Sequence, residues 1–329
     1  MLRITEVGVV LAAVVFGHLC SGVVSEIHGV TFSAIFSTED KVSQCLDEEA
    51  LLRNLDITKS ISKRIRMYSI AQCPQNTRIV LDYAKNNGMR VLLGLWISRN
   101  KLANANEFFW LDDFALEYKD ILDAVIVGNE VIAIQKVPLD DLLAAIAQTR
   151  SILEGVNVQV PVTTALIWPV LEDIGLQIAQ VTDFICMHVQ PFWEGRTAQS
   201  SGQYAVDKAA EIEELVGKPV WICETGWPTG GEKCCENRPY AFDGFQAEPT
   251  LENAEVFLND LVRAAKAANR PYFYHEAIDG DWKRMWSPCG ECVGLAKDVP
   301  IGCAIKEECE VDYHWGLFTS KGVSKVPVP

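Results

Sequence analysis

The sequence predicts a single α/β domain, a (β/α)₈ TIM barrel. Three observations predict it: eight short, nearly continuous apolar runs, amphipathic stretches between them, and no composition break or flexible linker along the way. Such runs are the pattern of parallel strands covered on both faces, and repeated strand-then-helix units close into a barrel. The strands are expected at "IHGVTFS" (27–33), "RIRMY" (64–68), "RVLLGLW" (90–96) and "DAVIVGN" (123–129). They continue at "VQVPVTT" (158–164), "DFICMH" (183–188), "PVWICE" (219–224) and "PYFYHEA" (271–277). Helical spacing is clear in "CLDEEALLRNL" and in "NTRIVLDYAKNNG", which ends on an Asn-Gly stop. "PLDDLLAAIAQTRSILEG" has Pro at its start and Gly at its end, and "TLENAEVFLNDLVRAAKAAN" is equally regular. A doubly wound open sheet would carry a Gly-rich fingerprint after the first strand, and "GVTFSAIF" is not one.

With 329 residues and 49% hydrophobic content the chain can bury a large core. Its net charge of −15 and the lack of a Lys/Arg-rich run argue against a nucleic-acid or anionic-membrane partner. Residues 1–25 read as a secretory signal peptide, with Arg3 near the start, an apolar run from Val7 to Phe16 and small residues before a cleavage point near Ser25. The domain is then expected over 26–329, and the product is expected to be secreted, with cell-wall association a further expectation. Of 11 cysteines, ten remain after Cys20 leaves with the signal, an even number that favours disulfides in an export context. Cys234, Cys235, Cys289, Cys292, Cys303 and Cys309 crowd Cys-rich loop insertions in the last third. Cys45 and Cys73 form a plausible separate pair, whereas Cys186 and Cys223, inside strand-like runs, are expected as buried thiols.

The barrel reading gives two carboxylates a meaning. Glu130 closes the fourth run and Glu224 the seventh, and strand C-terminal ends line the mouth where barrel chemistry gathers. Two carboxyl groups about 5–5.5 Å apart suit retaining glycoside hydrolysis, one as nucleophile and the other as acid and then base. Trp96, Trp193 and Trp227 fall at or just past strand ends, where flat faces would stack on sugar rings, and His188 ends the sixth run. A Glu at one strand end is commonly just a cap or half an ion pair, and a Trp near a turn commonly just packs. Their combination on one rim is what points to a site. No G-x-S-x-G elbow or phosphate-binding loop is present, and the five histidines lack metal-ligand spacing. Strand alternation should turn Cys223 away from the Glu224 side.

"VIVGNE" followed by "WICETGWPTGG" resembles glycoside hydrolase family 17, the β-1,3-glucanases, in its fungal-type glucan 1,3-β-glucosidase and glucanosyltransferase branch. The likeness runs through "IRMYS", "VLLGLW" and "PTLENAEVF" to "YHEAIDGDWK", which matches Phe-Glu-Ala-Phe-Asp-Glu-x-Trp-Lys, and to the closing "HWGLF". It implies Glu224 as nucleophile, Glu130 as general acid/base, and Asn129 as a hydrogen-bond partner of the sugar 2-hydroxyl. Tyr68, Glu276 and Lys283 match cleft-lining positions. It further implies a retaining hydrolase acting on β-1,3-glucan polymer or oligosaccharides, with no cofactor and no metal, and a monomer is expected. The alternatives are a β-1,3-glucanosyltransferase, in which a glucan replaces water as acceptor, and a non-catalytic glucan-binding wall protein. The sequence departs from the family at Gly280, which removes a carboxylate and leaves Lys283 short of an expected partner. It departs again at Gln190 and Phe192, where aromatic and Tyr residues are usual.

Overall fold

The computed structural model describes residues 27–37, 43–231, 246–280, 283 and 310–329. The signal segment, the six cysteines of the last third, Asp281 and Trp282 lie outside those residues. In chain order the elements are β1 (Gly29–Thr31), β2 (Ile35–Ser37), β3 (Ser43–Cys45), α1 (Glu48–Ile61), β4 (Arg64–Arg66), α2 (Pro74–Asn86), β5 (Arg90–Leu95) and α3 (Lys101–Tyr118). There follow β6 (Leu122–Asn129), α4 (Leu139–Gly155), β7 (Val162–Ile167), α5 (Trp168–Val181), β8 (Ile185–His188), α6 (Ser201–Val216), β9 (Val220–Thr225), α7 (Leu251–Ala268) and β10 (Tyr272–Tyr274).

Eight strands close a parallel barrel in the order β1-β10-β9-β8-β7-β6-β5-β4, as expected. The remaining two, β2 and β3, pair antiparallel as a small hairpin after the first barrel strand. The fifth barrel strand starts four residues later than "VQVPVTT" suggests, because Pro161 has no N–H for the ladder; its carbonyl instead accepts from Val125 N at 2.8 Å.

Helix ends follow their local chemistry. Asp47 caps α1 by accepting from Ala50 N at 2.8 Å, and Thr250 caps α7 by accepting from Asn253 N at 3.1 Å. The second helix stops before Gly88, whose φ of +64° suits the left-handed turn. At the end of α4 that conformation falls on Asn157 (φ +55°), with Gly155 still helical.

A large apolar layer lies between barrel and helices, and a smaller cluster fills the barrel itself: Leu92, Ala124, Ile126, Ala165, Phe184, Cys186, Cys223 and Phe273. Cys45 and Cys73 are disulfide-bonded, in line with the expected pair. Cys186 and Cys223, expected as thiols, also form a disulfide, inside the barrel between β8 and β9. Ordinary alternation puts Trp221 and Cys223 on the inner face that Cys186 occupies. A bulge follows, where pairing steps from Met187↔Ile222 to His188↔Glu224, and it brings Glu224 to that face as well, at the mouth.

Candidate active site

Glu224 sits near the C-terminal end of β9, and Glu130 directly follows β6. One carboxylate oxygen of each and one nitrogen of His188 all lie within 4.8 Å of one another. Both glutamate side chains keep a little exposure, 14% for Glu130 and 12% for Glu224. That spacing is shorter than the roughly 6.5–9.5 Å an inverting pair leaves for water. Backbone geometry aims Glu130: its φ is +52°, a left-handed conformation a residue with Cβ adopts only when its surroundings hold it there. Glu130 N donates to Ala165 O at 2.8 Å, and its carbonyl accepts from Ile134 N at 2.9 Å.

Glu224 is held from three sides. Arg66 Nη1 donates to Oε2 at 3.0 Å and to the Cys223 carbonyl at 3.0 Å. Tyr68 Oη donates to Oε2 at 2.8 Å, and Gln190 Nε2 donates to Oε1 at 3.2 Å. Burial alone would raise this carboxyl, but positive charge from the His188 side and the Arg66 guanidinium, with the Tyr68 hydroxyl bond, outweigh it and hold Glu224 well below the usual carboxylate range. Burial, the Glu224 charge and its hydrogen bond keep the Tyr68 hydroxyl protonated well above its ordinary range. Arg66 is 1% exposed and also binds Asn129 Oδ1 through Nη2, leaving the Asn129 amide as a donor to a ligand. His188, fully buried, places Nδ1 2.5 Å from Glu130 Oε1.

A cavity of about 380 Å³ opens beside Glu224, lined in part by Tyr68, Trp96, Glu107, Asn129 and His275. Four residues expected at the site, Tyr68, Trp96, Asn129 and Glu224, therefore share one cavity wall, with Glu130 and His188 alongside. The other expected residues are placed differently. Trp227 is fully buried, donating to the Glu248 carbonyl at 2.9 Å and packing on Phe192 and Phe257, so it holds the wall from behind. Trp193 packs, half-buried, against Phe192 and Trp315 and is not among the cavity's lining residues. Glu276 is 3% exposed and faces a separate pocket of about 190 Å³. Lys283 is not short of a partner: it pairs with Glu276 at 2.6 Å and contacts His275 Nε2 at 2.9 Å.

Arg66, Gln190, His275 and Glu107 are the residues that sequence reasoning did not assign to the site. Arg66 carries the clearest signal, a charge inside the apolar "RIRMY" strand and one turn of the pleat before Tyr68. Glu130, His188 and Glu224 could also ligate a cation, but Arg66 and Tyr68 already occupy Glu224 Oε2. Such a bonded, charge-compensated carboxylate beside a second carboxyl is suited to attack and proton transfer at one acetal carbon.

The chain is 24% identical over 293 residues to a glucan 1,3-β-glucosidase of Arthroderma benhamiae, covering 84% of this chain and 83% of that protein. It is 24% identical over 254 residues to the probable glucan endo-1,3-β-glucosidase btgC of Aspergillus flavus, covering 71% of this chain but 36% of that longer protein. The solved glycoside hydrolase family 17 β-1,3-glucanosyltransferase of Rhizomucor miehei shares the fold, with a TM-score of 0.70 at 22% identity, covering 92% of this chain and 97% of that one. These relatives agree with the resemblance carried by the two glutamate motifs. Residues 29–291 match the BtgE/BtgC glycoside hydrolase domain, and the chain belongs to that family.

Proposed function

We propose that this chain is a retaining β-1,3-glucan hydrolase, with Glu224 as nucleophile and Glu130 as general acid/base. The observation that carries the reading is the placement of the two carboxylates within 4.8 Å at the barrel mouth. Glu224, ionised and bonded through Oε2, attacks the anomeric carbon while Glu130 protonates the departing glycosidic oxygen. The glycosyl ester on Glu224 is then opened by water, whose proton returns to Glu130. The Asn129 amide donates to the sugar 2-hydroxyl, a contact that strengthens as the oxocarbenium-like transition state forms. β-1,3-Glucan is the substrate suggested by the names of the family relatives and by a laminaritriose complex of the Rhizomucor miehei enzyme. Export through the N-terminal signal and action as a monomer are part of the same reading.

The test is direct. Glu224→Ala should abolish turnover of laminari-oligosaccharides while leaving folding and glucan binding intact; substantial remaining activity rejects the nucleophile. Proton NMR of the first-formed sugar should show the β-anomer, and an α-anomer rejects retention. Products longer than the starting oligosaccharide would reassign the chain as a glucanosyltransferase without altering either glutamate's role.

A further inference from the structure

We infer that His275 is a positioning residue for the nucleophile: it joins Lys283 to Tyr68 in a directed hydrogen-bond relay that fixes the Tyr68 hydroxyl proton on Glu224 Oε2. This inference rests on Glu224 being the nucleophile.

The direction of each bond follows from what its groups can do. An ammonium has donors only, so the 2.9 Å contact between Lys283 Nζ and His275 Nε2 makes Nε2 the acceptor. The ring proton of a neutral imidazole then belongs on Nδ1, and this tautomer is fixed by the partners. Nδ1 lies 3.1 Å from Tyr68 Oη and 3.1 Å from Thr31 Oγ1. Tyr68 Oη in turn lies 2.8 Å from Glu224 Oε2, and a carboxylate only accepts. The single Nδ1 proton is shared between Tyr68 Oη and Thr31 Oγ1, equally distant, and through its Tyr68 arm the order is Lys283 to His275 to Tyr68 to Glu224, running from a cation to an anion, with each bond polarising the next.

Burial and the Lys283 charge keep the ring neutral, with its pKa lowered to about 3. The groups around it are Lys283 with its partner Glu276, Glu224 on β9, Arg66 and Tyr68 from the β4 end, and His188 on β8. A protonated ring would place its charge against Lys283 and remove the acceptor at Nε2.

His275→Phe preserves ring volume and removes both nitrogens, and His275→Gln keeps one donor and one acceptor. Both are compared with the unaltered protein and Glu224→Ala for kcat, KM and the pH profile of kcat/KM on laminari-oligosaccharides, with folding checked by circular dichroism. His275→Phe should lower kcat about tenfold, the worth of one hydrogen bond to a charged site, with KM nearly unchanged. Its acid limb should move toward neutral pH, because a carboxylate that loses hydrogen-bond support takes up a proton more readily. His275→Gln should recover most of the rate and return the limb. An unaltered kcat and acid limb in His275→Phe, or equal loss in both variants, overturns the relay and leaves His275 as packing. If His275→Phe does not fold, His275→Met supplies the same comparison. Activity retained in Glu224→Ala would instead strike the nucleophile assignment, a result distinguishable from failure of the relay alone.

Discussion

Glu107 shows how a residue outside the chemistry can shape the groove. It projects from α3, is 3% exposed, and accepts from Ser69 Oγ and, at 3.1 Å, from Ile70 N, tying the chain just past Tyr68 to the cavity wall. Burial pushes its carboxyl up to about 7, against hydrogen bonds that pull the other way. A carboxyl raised on folding favours the native state while protonated, so its contribution is complete below about pH 4.5 and is lost as pH rises through about 7. The shift corresponds to on the order of 3 kcal/mol. Thermal unfolding of the unaltered protein should therefore fall relative to Glu107→Gln across that window, and parallel curves would refute it. Arg66→Lys is a second expected loss: the fork that holds both Glu224 and Asn129 becomes a point charge, and kcat/KM should drop about tenfold or more. Glu130→Gln should cripple natural glucans but spare aryl glucosides with very good leaving groups. The two glutamates were legible in the sequence because each ends an apolar run on a charge. Arg66 and His275 were not, because only barrel closure brings residues 66, 129, 224 and 275 together.

Elements were legible wherever a strand is continuously apolar or a helix has clean spacing and caps. The β2–β3 hairpin was missed because its strands are three residues each, too short for a pattern. The third helix was missed because Leu102, Phe109 and Leu116 all face outward, which spreads apolar residues around the whole helix. The bulge in β9 and the Cys186–Cys223 bridge both escaped notice because each is a matter of register between neighbouring strands rather than of composition. Just beyond that bulge, Gly226 explains why the strand stops so abruptly after Glu224. A Cβ there would stand 2.0 Å from the His275 carbonyl oxygen, so only glycine lets the end of β9 lie against the chain after β10. Gly226→Ala should destabilise the fold by about 3 kcal/mol, read as a lower denaturant midpoint. A midpoint equal to the unaltered protein's would show that the two segments separate freely.

At the scale of the whole molecule, the C-terminal segment returns to brace the mouth. Glu276 N donates to Trp315 O at 3.1 Å, Leu317 N returns a bond to Glu276 O at 3.0 Å, and Lys325 pairs with half-buried Asp279 at 2.6 Å. The eight-strand closure was readable from the alternation of runs; this brace was not, since "HWGLF" has no periodicity and its partners lie some forty residues upstream. The two described disulfides occupy opposite environments. Cys45 lies at the surface, whereas Cys186 and Cys223 are fully enclosed in the barrel. Under native conditions a mild thiol reductant should open Cys45–Cys73 first, as peptide-resolved alkylation would show; simultaneous opening would contradict the enclosure. The inner bridge thus acts as a sealed chronometer. Because a thiol reductant reaches those sulfurs only when neighbouring staves part, the rate at which the bridge is reduced, read by alkylating the freed thiols, counts how often the vessel springs open without denaturant.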